Sequence, residues 1–158
     1  MKRHKIFISI ASYRDSELIP TIKNCIDNAK LPNNLVFGIS RQYHPDDGFD
    51  NLKKFEKKSN FKIINTHYKK SLGVCRARHD IQKFYDGEEF YLQLDSHHRF
   101  VKNWDFLLKK TFRSLVSKGS EKPLITSYLP SYDPDVKGEK RLNDVWRTYI
   151  CLLYTSPS

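Results

Sequence analysis

Short β-branched runs alternate with stretches of helical period along this chain. That alternation constrains the fold more than any single residue does. Residues 5–10, 35–40, 61–65 and 90–94 are apolar runs of strand length. Between the first two, Leu18, Ile22, Cys25, Ile26 and Ala29 lie on one helical face. They predict a helix capped by Ser16 and running to about Lys30, where Leu31, Pro32, Asn33 and Asn34 stop it. Residues 41–51 read as a polar loop, 52–58 as a short helix and 67–73 as a basic loop. Val74, Ala77, Ile81, Phe84 and Tyr85 predict a helix over 73–85, ended by Asp86 and Gly87. Trp104, Leu108, Phe112 and Leu115 form one stripe of a helix over 102–117. Residues 124–127 begin a fifth strand, and 128–138 form a loop rich in Pro and Tyr. Such an order predicts an α/β fold, a mostly parallel sheet flanked by helices on both faces. Ligands then bind beyond the carboxyl ends of the strands.

The 158 residues suffice for one sizeable core, and a hydrophobic content of 39% suits a folded domain. The net charge of +10 admits nucleic acid, acidic lipid or a phosphorylated small substrate. The lysines are dispersed over 53–62, 69–70 and 102–118, and no arginine-rich tract or nucleic-acid module is present. Cys25, Cys75 and Cys151 fit neither a disulfide framework nor a zinc pattern, and two of them read as buried or half-buried thiols in a reducing compartment. The apolar part of the N-terminus, 6–11, is too short for a signal peptide or a membrane span. A cytoplasmic protein is expected. The terminal CLLYTSPS resembles translated adapter sequence, which predicts one domain over 1–150 and a non-native or disordered tail over 151–158.

The strand at 90–94 ends in Asp95, Ser96 and His97. An isolated Asp-x-His is more often a capping carboxylate and a surface imidazole. Here a buried strand precedes it and a helix follows, which favours two metal ligands on one face of a continued strand. Mixed oxygen and nitrogen donors suit Mn²⁺ better than Ca²⁺, with Mg²⁺ as the alternative. The helix over 73–85 carries the chain away by about 20 Å, and the following strand returns a comparable distance. Asp95 therefore falls near the helix start, beside Lys69, Lys70, Arg76 and Arg78. On the helical wheel Arg78 lies at the margin of the apolar face and Arg76 points away. Arg78 either meets an anionic partner or snorkels to solvent. Cations and a metal-binding acid at one sheet edge suit a diphosphate. Residues 9–15, SIASYRD, can hold a nucleoside or make an ordinary strand–helix turn, and the residues alone favour the turn. Asp46 and Asp47 can accept from a base or ribose or stay solvated. Tyr128, Pro130, Tyr132 and Pro134 can wall an acceptor or stiffen a loop.

Three blocks, IFISIASYRDSELIPTI (6–22), GVCRARHDIQKFYDGEEFYLQLDSHHRFVKNWD (73–105) and LITSYLPSY (124–132), carry a resemblance. Taken together the chain resembles the GlcNAc-transferase family of the GT-A, Rossmann-like fold, whose members include cytoplasmic enzymes that modify hydroxyproline. The middle block more distantly resembles polypeptide GalNAc-transferases. The resemblance implies UDP-GlcNAc as donor, Mn²⁺ or Mg²⁺ as metal, a protein or glycan acceptor and retention of anomeric configuration. It assigns Asp95 and His97 as metal ligands. It places Ser12, Tyr13 and Arg14 near the nucleoside, and Arg78 near the nucleotide. Family members are longer, and the recognised motifs end near Tyr132, so the fold is expected to be incomplete at its C-terminus. A nucleotidyltransferase would need a second acidic strand or a Gly-rich phosphate loop, and neither is evident. A basic nucleotide- or RNA-binding module without transferase activity is the remaining alternative, disfavoured by the ordered motif set. No nucleic-acid or membrane partner is expected.

Overall fold

The computed structural model describes residues 2–127. They fall into two units, one up to Thr111 and one from Phe112. In the first, β1 (Lys2–Tyr13), β2 (Leu35–Tyr43), β3 (Phe61–His67) and β4 (Glu88–Asp95) form one sheet. Its order is β3-β2-β1-β4, and every neighbouring pair is parallel. The helices are α1 (Leu18–Asp27), α2 (Lys53–Glu56), α3 (Val74–Gln82) and α4 (Trp104–Ser117), the last running into the second unit. The strand order reverses between β1 and β4, so their carboxyl ends border the crevice where ligands of open α/β sheets bind.

Both faces of the sheet are covered, as the alternation predicts. Ile6, Ile8 and Ile10 of β1 and Leu35, Phe37 and Ile39 of β2 pack with Leu18, Ile22 and Cys25 of α1. The opposite face of the same strands sets Phe7 and Val36 against Ile81 of α3. Period-2 side chains on central strands bury alternately to each side, which is why these runs are almost wholly apolar. Gly38 faces α3, and a Cβ there would lie 2.4 Å from Phe7 and 2.7 Å from Ile81. The missing side chain lets the helix approach.

Several boundaries differ from the sequence reading. The strands continue past their apolar runs: β1 reaches Tyr13, β2 reaches Tyr43 and β3 reaches His67. Register pairs Ser12 with Arg41 and Gln42 with Thr66, so Ser12, Arg41 and Gln42, read as turn or loop, are still laddered. Ser16 does not cap α1. The preceding Asp15 accepts from the Glu17 N–H at 2.8 Å, and the helix starts at Leu18. The basic loop contains a short 3₁₀ turn, Tyr68–Lys70. α4 buries Trp104, Asp105 and Lys109, while Leu108 of the expected stripe is exposed. Asp105 is buried because it accepts from the N–H groups of Lys30 (2.7 Å) and Leu31 (3.0 Å) just beyond α1. In the second unit no strand is present at 124–127, and Leu124 is exposed. The expected loop at 128–138, Cys151 and the tail at 151–158 lie outside the described residues. No described helix is long and apolar enough to cross a membrane.

Cys25 is buried and Cys75 is exposed, so only the first fits the expectation of a shielded thiol. Burial, reinforced by nearby Asp105, pushes the Cys25 thiol far above its ordinary value. Iodoacetamide is therefore expected to modify Cys75 in the folded protein and Cys25 only in denaturant. Peptide mapping by mass spectrometry reads this directly. Equal native labelling of both would contradict the packing of α1.

Candidate active site

The carboxyl ends of β1 and β4 carry the residues singled out by sequence. Ala11 pairs with Asp95, the last rung of the β1–β4 ladder, so Ser12 and Tyr13, still laddered to β2, and then Arg14 follow on beside the Asp95–His97 segment. Ser12 is buried, and its carbonyl lies 3.4 Å from Gln42 Nε2. Tyr13 is exposed. Arg14 has φ of 48°, a left-handed conformation uncommon outside glycine, and this turns the chain out of the sheet. Its guanidinium grips Asp47 with two bonds, Nε at 2.7 Å and Nη2 at 3.2 Å. That bond holds the Asp47 carboxyl below its ordinary range. Asp47, one of two loop acids read from the sequence, is thus tied to the nucleoside candidate Arg14, while Asp46 stays exposed.

A cavity of about 150 Å³ opens at this edge, lined by Ala11, Tyr13, Gln42, Ser71, Gly73 and Val74. Gln42 is buried and accepts from the Ser71 hydroxyl. Gly73 precedes α3 with φ of 85°, which glycine adopts without strain. The cavity therefore lies between the end of β1 and the start of α3.

Arg78 of α3 donates to Asp95 Oδ1 at 2.8 Å. Arg76 instead pairs with Asp80 on the outer helix surface at 2.8 Å, as the helical wheel separates them. Asp95 and His97 do not share a strand face. The strand ends at Asp95 and the chain bends at Ser96, whose side chain turns inward and donates to Asp15 Oδ2. His97 Nδ1 lies 2.9 Å from the same oxygen. Burial raises the Asp15 carboxyl, but bonds from Ser96, His97 and the Glu17 N–H outweigh it and hold it below the ordinary value. Among the described residues, no group of three or more His, Cys, Asp or Glu side chains is gathered as a ready-made metal cage.

The segment after His97 is laced to α1. Thr21 Oγ1 donates to His98 O at 3.2 Å and accepts from His98 N at 2.8 Å. Arg99 reaches Glu17 at 2.5 Å, and Phe100 N donates to Asn24 Oδ1 at 2.7 Å. Asp15, Thr21, Gln42 and Ser71 were not singled out by sequence. Asp15 carries the one available signal, a carboxylate in the turn that leaves the first strand.

A family model described as "Glycosyltransferase (GlcNAc)" matches residues 5–54 and 46–156. This chain belongs to the GlcNAc glycosyltransferase family. The match runs to residue 156, past Tyr132, where the sequence motifs end. The fold is the GT-A arrangement, and solved structures show its likeness. The crystal structure of S. aureus TarS 1-349 aligns with a TM-score of 0.53 and 17% identity, over 84% of this chain and 41% of that one. The same TarS segment in complex with UDP-GlcNAc aligns with a TM-score of 0.53 and 17% identity, over 84% and 40%. A longer S. aureus TarS structure gives 0.53 and 16%, over 84% and 25%. This family member thus spans less than half the length of these neighbours. No curated protein sequence matches it.

Proposed function

We propose that this chain carries the donor site of an enzyme that transfers GlcNAc from UDP-GlcNAc to a hydroxyl of a protein or glycan, assisted by a divalent cation. The observation that carries the reading is the Arg78–Asp95 ion pair at the carboxyl end of β4, with His97 two residues on, in a member of the GlcNAc glycosyltransferase family. Asp95 and His97 fit a cation as a pair. They offer the carboxylate oxygen that Arg78 does not occupy and one imidazole nitrogen, a set suited to Mn²⁺ and next to Mg²⁺. Diphosphate oxygens and water complete such a site without a third side chain. A cation held there supplies Lewis-acid stabilisation of the charge on the leaving diphosphate. Arg78 shares that charge through directed N–H groups. Ser12, Tyr13 and Arg14 flank the nucleoside, with Gln42 and Ser71 as cavity walls. The resemblance to the hydroxyproline-modifying members of the family supports retention of anomeric configuration. The two family matches, which together cover 5–156, support reading 1–150 as one nucleotide-sugar domain. The resemblance to cytoplasmic family members supports a cytoplasmic enzyme whose small partner is a nucleotide sugar, with no nucleic acid or membrane.

Calorimetric titration of UDP-GlcNAc into the chain, with and without Mn²⁺, tests this. Binding that is strong with Mn²⁺ and weak without it is expected. No heat and no thermal stabilisation under either condition would end the reading. Steeply salt-dependent binding of random RNA, with no UDP-GlcNAc binding, would favour a nucleic-acid module instead.

A further inference from the structure

We infer that Asp15 is a positioning residue, setting the tautomer of His97 so that Nε2 is the nitrogen offered to the cation. This rests on the reading of His97 as a donor. The Asp15 carboxylate links the start of α1 to the segment just beyond β4. Its Oδ1 accepts from the Glu17 N–H at 2.8 Å. Its Oδ2 accepts from the Ser96 hydroxyl and faces His97 Nδ1 at 2.9 Å. An ionised carboxylate only accepts, so in this contact Nδ1 must carry the proton. In the neutral ring the lone pair then sits on Nε2. A histidine free in water carries its proton mainly on Nε2, the opposite arrangement. The His97 side chain is 60% exposed, so packing does little to choose between them. The backbone around it is already held, because His98, Arg99 and Phe100 are bonded to α1. What remains undetermined is the ring, and Asp15 determines it. Outer carboxylates that fix a ligating imidazole in this way commonly set metal affinity.

Asp15→Asn provides a sharp reversal. The Glu17 N–H still needs an acceptor and keeps the amide oxygen on its side. The amide NH₂ then replaces Oδ2 and faces His97 as a donor. Nδ1 becomes the acceptor, the proton moves to Nε2, and the outward lone pair is lost. Long-range ¹H–¹⁵N correlation spectra of ¹⁵N-histidine protein, without metal, read the tautomer. The His97 signal is assigned by its loss in His97→Gln. The expected result is Nδ1–H in the natural sequence and Nε2–H in Asp15→Asn. Mn²⁺ affinity in the presence of UDP, measured by water-proton relaxation, should fall roughly 10- to 100-fold in Asp15→Asn. Nε2–H in the natural sequence, or an unchanged tautomer in a folded Asp15→Asn, overturns the inference. The first of these needs only the assignment by His97→Gln, so the test survives an Asp15→Asn that fails to fold. His97→Gln that keeps full Mn²⁺ affinity overturns the donor reading instead, whatever the tautomer.

Discussion

Asp95→Ala removes the Mn²⁺-dependent part of UDP binding and leaves the fold intact. The Asp95 side chain is 55% exposed, and the Arg78 side chain that donates to it is 30% exposed. Truncation therefore opens no cavity, and a pair this exposed is worth only about 0–1 kcal/mol. The thermal midpoint should barely move. The loss at the cation is of another order. Removing a donor should cost at least the roughly 10- to 100-fold that removing its outer partner costs. Arg78 has the opposite dependence. In Asp95→Ala its guanidinium loses its carboxylate and stays available to a diphosphate, so weak binding of UDP alone should persist. Arg78→Ala should weaken UDP both with and without Mn²⁺. Calorimetry on the two variants, each titrated under both conditions, separates these roles. An Asp95→Ala protein whose UDP affinity still rises with Mn²⁺ as the natural sequence does would remove Asp95 from the site.

Phe37→Ala should destabilise the folded chain by about 3–5 kcal/mol, the usual cost of deleting a buried aromatic side chain. Phe37 is wholly buried near the start of β2, an interior strand of the sheet. Its ring stacks on Phe61 of the neighbouring strand at 4.5 Å between centroids and 11° between planes. Residues of three strands meet there, since Phe37 pairs with Ile8 on one side and Phe61 on the other. The void cannot collapse without bending the sheet, so the cost should sit high in that range. Domains of this size are stable by only about 5–15 kcal/mol, so a third or more of the total is at stake. Urea unfolding followed by circular dichroism should show a large fall in midpoint with a similar slope. A midpoint within error of the natural sequence would mean that Phe37 is not in the core as described.

The order of strands and helices could be read from the sequence because burial on both faces writes itself as uninterrupted apolar runs. The juxtaposition of Arg78 and Asp95 could be read too, since a helix and its returning strand bring their far ends together. The polar ends of the strands could not. Ser12, Arg41, Gln42 and Thr66 look like loop residues, yet they belong to the ladder that builds the ligand-facing edge. Their polarity reflects that edge rather than the end of pairing. Residues 124–127 failed in the other direction, as a short apolar run alone does not make a strand. Asp15 was read as part of a turn because nothing local reveals a contact with a residue 82 positions away.

The bonds from Thr21, Glu17 and Asn24 to the segment after His97 bear on energetics as well as geometry. α1 buries its apolar face in the core, so it forms with the domain, and the segment is ordered at the same moment. The conformational entropy of that stretch is lost when the chain folds, not when the nucleotide arrives. Association then starts with one of its usual costs already absent, and the affinity of this edge for a diphosphate is set more by its charges than by any need to order the backbone.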